Sequence, residues 1–329
     1  MTDGRKRTSI LAAMFLVGGS LGLHAAAPAA ADPSIDTVKQ RVEQLYNQAE
    51  KASERYNVAR DQLTASMVRL KALDADVSQQ RQVVGTMRND VARMMVDQYQ
   101  GHSLSTASQL VFSDSPQTFL DNLNAASSFD SQRGQVMKQY AVQLKRLKLR
   151  KEAADQQVSA LAKTRTVLLT EKKQIDDKAA QAKALLGKLK DKQRRAMMAS
   201  APPSASSLPN VPVSGRAGAA VRYAMAQVGD SYSWGGTGPS AYDCSGLTMM
   251  AWAQAGVGLP HSASGQQGSG RPVSEADLKP GDLVFYYSPV HHVGMYIGNG
   301  MIVNAENPSA GVKVTGLHSM PYSGAVRPG

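Results

Sequence analysis

A long heptad repeat constrains this chain more than any other feature. From Ile35 to Met94, apolar residues recur at alternating steps of three and four, and only Ser66 and Gln80 interrupt the series. No proline lies in this stretch. A repeat sustained over this length predicts a coiled-coil helix of about 90 Å at 1.5 Å per residue.

A second heptad series runs from Met137 to Leu189, with cationic residues at three of its core positions, Lys151, Arg165 and Lys172. The cations weaken this series without abolishing it. Because the two arms have similar lengths, they predict an antiparallel helical hairpin over residues 32–198. A parallel homodimer is the alternative, but the second arm argues against it because this arm also needs a partner.

The tip of the hairpin, at about residues 101–130, is not a simple turn. Residues 101–106 break the first arm, and residues 107–112 and 116–123 are predicted to form short amphipathic helices. Their apolar residues include Leu110, Phe112, Phe119 and Leu123. These side chains form either a local core that caps the hairpin or a docking site for a partner, and part of the capping role must hold.

The first 31 residues have the pattern of a secretory signal peptide. A basic run at 5–7 precedes an apolar stretch at 10–23, and three alanines at 29–31 supply a small-residue cleavage site. The apolar stretch is short for a bilayer span of ~20 residues, so an uncleaved anchor is the weaker alternative. We therefore expect a mature protein that is secreted, either periplasmic or associated with the cell wall.

Charge is concentrated in the second arm. Residues 133–198 carry 18 Lys and Arg against 6 Asp and Glu, whereas the rest of the chain is close to neutral. A basic rod suits anionic wall polymers or acidic lipid headgroups, although a solvated coiled-coil face explains it equally well. Export argues against nucleic acid as a partner. Residues 199–214 contain four prolines and several serines, which predicts a mobile linker.

Cys244 is the only cysteine of the chain, so it forms no internal disulfide and supplies no cysteine metal site. It follows a glycine-rich segment and opens an apolar stretch at 247–253 that is predicted to be helical. A sulfur at a helix N-terminus has a lowered pKa, which favours the reactive thiolate. The alternative is a buried cysteine that acts as a small hydrophobic side chain. Nothing in the sequence predicts a metal or another cofactor.

A histidine downstream lies in a predicted β-hairpin. Residues 291–304 read as two short strands joined by Gly-Asn-Gly at 298–300, which is a strong hairpin signal. Because side chains alternate along a strand, His292, Gly294 and Tyr296 share one face.

The length of the hairpin loop decides which polar residue accompanies His292. A three-residue loop pairs Ile297 with Met301 and brings Asn304 diagonally beside His292, where its amide oxygen would hold the imidazole tautomer. A two-residue turn would point Asn304 away. Glu306 would lie opposite His292 in the three-residue register and is the alternative orienting residue. Cys244 and His292 together favour nucleophilic catalysis.

Four sequence blocks resemble the NlpC/P60 family of cell-wall cysteine peptidases. They are YSWGG at 232–236, DCSGL at 243–247, LKPGDLV at 278–284 and HVGMYIG at 292–298. Their order over residues 215–329 makes the resemblance specific. It implies an α+β, papain-like catalytic domain in which a helix bearing the cysteine packs on an antiparallel sheet bearing the histidine.

The resemblance also implies roles for individual residues. The third polar residue of the family falls on Asn304, where many members have His. Tyr232 is expected beside the thiol as a polar stabiliser of the oxyanion. Asp243, assisted by Ser245, is expected to hold a free amine of the substrate. Many members have Ser at the position of His291, so contacts at that edge depart from the family pattern.

Two functions follow from these features. The first is a secreted endopeptidase that cuts peptidoglycan stem peptides, at the bond between D-glutamate or D-isoglutamine and the diamino acid, during wall remodelling and daughter-cell separation. The rod and tip are similar to those of coiled-coil-bearing, RipC-like cell-wall hydrolases of actinobacteria, which implies control by an FtsE–FtsX-type membrane complex at the tip. The alternative is a non-catalytic division adaptor that binds wall peptide and a membrane complex.

Overall fold

The structure, a computed structural model, describes residues 34–99, 116–189, 191 and 214–329, with side chains for all of these except 98–99 and 116–131. Two long helices come first, α1 (Ile35–Tyr99) and α2 (Pro116–Gly187). The C-terminal domain then contributes the helices α3 (Gly215–Ala226), α4 (Cys244–Ala253) and α5 (Ala263–Gln267), with a 3₁₀ turn at Glu275–Asp277. Its strands are β1 (Ser231–Tyr232), β2 (Ala241–Tyr242), β3 (Arg271–Val273), β4 (Leu283–Tyr286), β5 (His292–Gly298), β6 (Met301–Ala305), β7 (Val312–Gly316) and β8 (Tyr322–Arg327).

The two long helices pack against each other as an antiparallel hairpin, which confirms the prediction from the heptads. Arg55 forms an ion pair of 2.8 Å with Glu171, and further along α1 Gln80 donates to Gln143 at 2.8 Å. Residue numbers therefore rise along α1 while those of the contacting residues fall along α2. Many buried apolar residues of the hairpin belong to the predicted series: Val38, Val42, Leu45, Ala49, Ala52, Ala59, Val77, Val84, Val91, Ala154, Leu161, Ile175, Ala182 and, just after α2, Leu189.

The hairpin departs from the sequence prediction in two places. Leu144 and Val158 belong to the predicted core series but are 41% and 52% exposed, because two helices in contact bury only one narrow stripe each. The segment 116–123 is part of the uninterrupted helix α2 rather than a separate short helix. Leu110 and Phe112 lie outside the described residues, as do the side chains of Phe119 and Leu123.

The predicted signal peptide at 1–31 also lies outside the described residues, as does almost all of the linker at 199–214. Among the helices that are described, none has both the length and the apolar character needed to cross a bilayer.

The C-terminal domain has the predicted α+β arrangement. Six strands form an antiparallel sheet in the order β3-β8-β4-β5-β6-β7, and α4 packs on β5 and β6. Strand β4 is buried along its whole length, which explains why residues 283–286 are all apolar or aromatic. Trp252 at the end of α4 donates its indole N–H to the carbonyl of Gly281 at 3.2 Å and so ties the helix to the sheet. This packing brings the N-terminus of α4 to the start of β5.

Candidate active site

The cysteine lies at the first position of α4, and Asp243 caps that helix. Asp243 accepts a hydrogen bond from the backbone N–H of Gly246 at 2.6 Å, which is the geometry of an N-cap. Gly246 has no room for a side chain, since a Cβ would lie 2.0 Å from the carbonyl oxygen of Gly236. The DCSG sequence therefore fixes the start of the helix and the direction in which Cys244 points.

His292 opens strand β5 and Asn304 lies on the neighbouring strand β6. The Nε2 atom of His292 lies 3.1 Å from Oδ1 of Asn304, and both side chains are buried. Asn304 in turn donates its amide N–H to Thr315 Oγ1 at 3.0 Å, which fixes the orientation of the amide. Because the amide oxygen of Asn304 accepts a hydrogen bond from Nε2–H, the neutral imidazole of His292 carries its free lone pair on Nδ1.

The turn that joins β5 and β6 differs from the predicted three-residue loop, although Asn304 still lies beside His292. Asn299 and Gly300 both have positive φ, at 54° and 68°, and Gly298 pairs with Met301 across a two-residue turn. The prediction that Ile297 pairs with Met301 is therefore wrong. A bulge at Ile297 then shifts the pairing of the two strands by one residue. This shift returns Asn304 to the face of the sheet that bears His292.

The other residues predicted from the sequence lie around His292 and Asn304, but not all of them contact these two residues. Glu306 forms an ion pair of 2.6 Å with Lys313, and no hydrogen bond to His292 is found in the described residues. Ser245 is fully buried and contacts Asp243 Oδ1 at 3.3 Å behind the cysteine. Tyr232 is buried in the same apolar core as Cys244, and burial, followed by the charges of Cys244, Glu50 and Asp243, raises the pKa of its phenol.

Helix α1 of the coiled coil lies directly over this site. Its hydrogen bonds and ion pairs with the C-terminal domain include the following: Tyr46 with Ser309, Asn47 with His291, Glu50 with His292, Glu54 with Ala263 and Ser264, Asn57 with Asp243, and Asp61 with Ser262. Trp234 of the C-terminal domain also packs against the apolar core of the hairpin. We call this the docked arrangement.

Two of these contacts engage residues that the sequence assigns to chemistry. Glu50 Oε1 lies 2.5 Å from Nδ1 of His292, on the ring atom that is free of Asn304. Asn57 donates its amide N–H to Asp243 Oδ2 at 2.9 Å, the carboxylate expected to hold a substrate amine. Helix α1 thus contacts two of the groups to which the sequence analysis assigns catalysis and substrate binding.

Sequence reasoning missed this interface. Asn47, Glu50, Glu54, Asn57 and Asp61, which we call the polar stripe, recur at steps of three, four, three and four beside the apolar seam. The signal was present, since these residues must share one face of α1. A polar stripe on a coiled coil is ordinarily solvated, however, so the spacing alone does not reveal that it is buried.

The thiol has a different protonation state from the one that the sequence predicts. Burial raises the pKa of Cys244, and the charges of Glu50, Asp243 and Glu54 raise it further, against a smaller lowering by a backbone hydrogen bond from Val293. The expectation of a lowered pKa is therefore wrong for the docked arrangement. Cys244 lies at the N-terminus of α4 as predicted, but desolvation and three acidic neighbours decide the direction of the pKa shift.

The pKa values of the groups around the thiol are shifted as well. Burial lowers the pKa of His292, but the charge and hydrogen bond of Glu50, with Asn304, reverse this and raise the pKa overall. Burial raises the pKa of Asp243 to about 6, although Asn57, Gly246 and other donors oppose the shift. His291, which stacks on Tyr287 with ring centroids 4.3 Å apart, has a pKa lowered by burial.

Two buried polar atoms near Asp243 are unpaired in the docked arrangement. Asn57 Oδ1 and His261 Nδ1 have no hydrogen-bond partner within the described part of the chain, although each side chain uses its other polar atom on Asp243. An unpaired buried polar atom costs about 1–3 kcal/mol. The interface between α1 and the C-terminal domain is consequently less than fully complementary.

Comparison with known proteins agrees with this geometry. Residues 229–326 match the model of the NlpC/P60 family. A probable endopeptidase of Corynebacterium glutamicum is 43% identical over 109 residues, which are 33% of this chain and 52% of that protein. A probable endopeptidase of Mycobacterium tuberculosis is 45% identical over 101 residues, or 31% of this chain and 26% of its own length.

Among solved structures, the NlpC/p60 domain of the peptidoglycan hydrolase SagA is 34% identical, and the match covers 33% of this chain and 97% of that one, with a TM-score of 0.32. This chain spans about half of the Corynebacterium relative and about a quarter of the mycobacterial one. The matches fall in the region that contains Cys244, His292 and Asn304. Residues 229–326 therefore carry an NlpC/P60 domain.

Proposed function

We propose that this chain is a secreted cysteine endopeptidase of peptidoglycan stem peptides. One observation carries the proposal: Cys244 at a helix N-terminus lies beside His292, whose far ring nitrogen is held by Asn304 at 3.1 Å. The thiol and the imidazole are in the relation that nucleophilic catalysis requires, with a third group orienting the base. The relatives named as endopeptidases support this reaction class.

The proposed reaction uses each group in turn once the site is open. His292 Nδ1 takes the proton of Cys244, and the thiolate attacks the scissile carbonyl to form a tetrahedral oxyanion. The backbone N–H of Cys244, with Tyr232, stabilises that charge. The imidazolium then returns the proton to the leaving amine, and water hydrolyses the thioester by the reverse sequence, with His292 as base.

The proposed substrate bond lies between D-glutamate or D-isoglutamine and the diamino acid. The resemblance in the sequence supports this choice, together with Asp243 as a carboxylate available to a free substrate amine. Mass spectrometry of defined muropeptides incubated with the chain from residue 32 onward tests it. Cys244→Ala and His292→Ala should each abolish product, and cleavage by Cys244→Ala would refute the mechanism.

We further propose that the coiled coil keeps the enzyme inactive in the docked arrangement. Glu50 occupies the basic nitrogen of His292, α1 buries the thiol, and the resulting pKa shift keeps Cys244 protonated. The incomplete polar pairing at Asn57 and His261 supports reversible rather than permanent docking. Export, as the N-terminal pattern predicts, would give such a restraint a purpose, because an unrestrained wall peptidase endangers its own cell.

Release by a membrane complex completes the proposed regulation. We place its docking site at the tip, through Leu110, Phe112, Phe119 and Leu123, on the grounds of apolar sequence alone. A partner can shift the equilibrium only by binding the undocked form more tightly than the docked one. Phe112→Asp should abolish activation by an FtsE–FtsX-type complex and leave basal turnover unchanged; equal activation of this variant and the wild type would remove the tip from the scheme.

A further inference from the structure

The thiol, the imidazole and a carboxylate of the coiled coil form a compact cluster. The Sγ atom of Cys244, a ring nitrogen of His292 and a carboxylate oxygen of Glu50 all lie within 4.8 Å of one another. The three side chains come from α4, β5 and α1, and all are buried, at 4%, 1% and 8% exposure. A nucleophile, a base and an acid from separate elements therefore face a common point.

These three groups are a zinc ligand set. Zinc binds thiolate, imidazole and carboxylate in tetrahedral sites, where neighbouring ligand atoms are roughly 3.2–3.6 Å apart. The Glu50 oxygen and His292 Nδ1, now 2.5 Å apart, must separate by about 1 Å to admit the ion, and the sulfur already lies within 4.8 Å of both.

The surroundings favour a metal in two further ways. His292 donates its Nε2 proton to Asn304, which fixes the tautomer that presents Nδ1 as a ligand, as outer partners of zinc-bound histidines do. Zinc also balances charge, because Zn²⁺ with one thiolate, one carboxylate and a neutral imidazole is a neutral cluster in a buried site. Coordination deprotonates the thiol outright, and its proton leaves to solvent.

We propose that Cys244, His292 and Glu50 bind Zn²⁺ in the docked arrangement, with water as the fourth ligand. The sequence predicts no metal, because two of these ligands are assigned to catalysis and the third lies 194 residues before Cys244 and 242 before His292. Since Glu50 belongs to α1, the three ligands are together only when α1 is docked. The ion therefore stabilises the docked arrangement by its difference in affinity for the two states.

Cobalt titration of the full-length chain tests the site without measuring turnover. Co²⁺ replaces zinc in such sites and gives a thiolate-to-cobalt charge-transfer band, which Zn²⁺ should then abolish by displacement. Cys244→Ser should remove the band. Glu50→Gln should weaken Co²⁺ binding by at least about tenfold, whereas Glu43→Gln, on the exposed face of the same helix, should leave it unchanged.

Glu54→Gln separates ligation from docking, because Glu54 holds α1 on the domain but lies outside the ligand set. We expect it to weaken Co²⁺ binding several-fold less than Glu50→Gln does. The site is refuted if no charge-transfer band forms, or if Glu50→Gln binds as tightly as the wild type. Equal losses in Glu50→Gln and Glu54→Gln would refute Glu50 as a ligand. None of these outcomes bears on whether the undocked enzyme cleaves peptide.

Discussion

Removing the carboxylate of Glu54 should release the coiled coil from the active site. This carboxylate accepts three hydrogen bonds from the C-terminal domain, at 2.8 Å from the N–H of Ala263, 2.9 Å from the N–H of Ser264 and 2.6 Å from the Ser264 hydroxyl. Glu54 is buried in the docked arrangement, and in the described part of the chain its hydrogen bonds go to Ala263 and Ser264 rather than to Cys244 or His292. Its charge raises the pKa of Cys244 only while α1 is docked. Glu54→Ala therefore perturbs docking without removing a group that is hydrogen-bonded to the thiol or the imidazole.

The size of the effect follows from these contacts. A hydrogen bond to a charged group contributes about 1.5–3 kcal/mol. Burial raises the pKa of Glu54, however, so desolvation offsets much of what three such bonds would provide. We count the whole contact as about 2 kcal/mol, which corresponds to about a 30-fold change in the ratio of docked to undocked molecules.

Steady-state kinetics on a soluble muropeptide measure this ratio. Substrate binds only the undocked form, so docking raises the apparent KM and leaves kcat unchanged, as for an intramolecular competitive inhibitor. If the docked form predominates, Glu54→Ala should raise kcat/KM by about 30-fold through KM alone. The rate of Cys244 alkylation by iodoacetamide should rise in parallel, because undocking exposes the thiol.

The matched control is Glu43→Ala, which removes an exposed carboxylate from the same helix and should change neither quantity. An unchanged kcat/KM and alkylation rate in Glu54→Ala would refute the regulatory role of docking. The coiled coil would then serve only to position the enzyme.

Three further predictions follow from the site and its supports. Asn304→Ala should lower kcat about 10–100-fold and leave measurable turnover, whereas Glu306→Ala should change it less than about threefold, and muropeptide kinetics compare the two. Because burial raises the pKa of Glu54, docking is coupled to protonation of this carboxyl group. Docking is therefore strongest below the usual carboxyl pKa of 4.5 and weakens as the pH rises through the raised pKa. The kcat/KM of the wild type, relative to that of Glu54→Gln, should consequently increase with pH. Gly246→Ala should lower the melting temperature by several degrees, since its Cβ meets a carbonyl oxygen at 2.0 Å, whereas Gly258→Ala, with open space around it, should not.

Local patterns were enough to predict most of the fold. The apolar heptads identified the coiled-coil seam, because packing of two helices depends on which residues recur every three or four positions. The DCSG and HVGMYIG segments predicted the start of α4 and the strand β5 for similar reasons. The bulge at Ile297 escaped prediction, since its cost and benefit depend on the packing of β5 against β4 and α4 rather than on the hairpin sequence.

Only part of the site could be predicted. Cys244, His292 and Asn304 come from one compact domain whose blocks are recognisable in the sequence. Glu50 lies far from them along the chain, and nothing local distinguishes it from a solvated glutamate of a coiled coil. Its docking also reverses the predicted shift of the thiol pKa, because a pKa depends on every charge and every surface brought near the group, including those from remote segments.

Docking on catalytic groups has an advantage over docking on an apolar surface beside them. The hydrogen bonds of the polar stripe include those with His292, Asp243 and Ser264, and water can satisfy the same groups after release. Because the predicted linker keeps α1 near the site, its effective concentration is on the order of millimolar, and a weak contact is enough to close the site. A modest gain in binding free energy from a partner is then also enough to open it. Under the proposed regulation, weak docking on these groups would combine control of the peptidase with ready release.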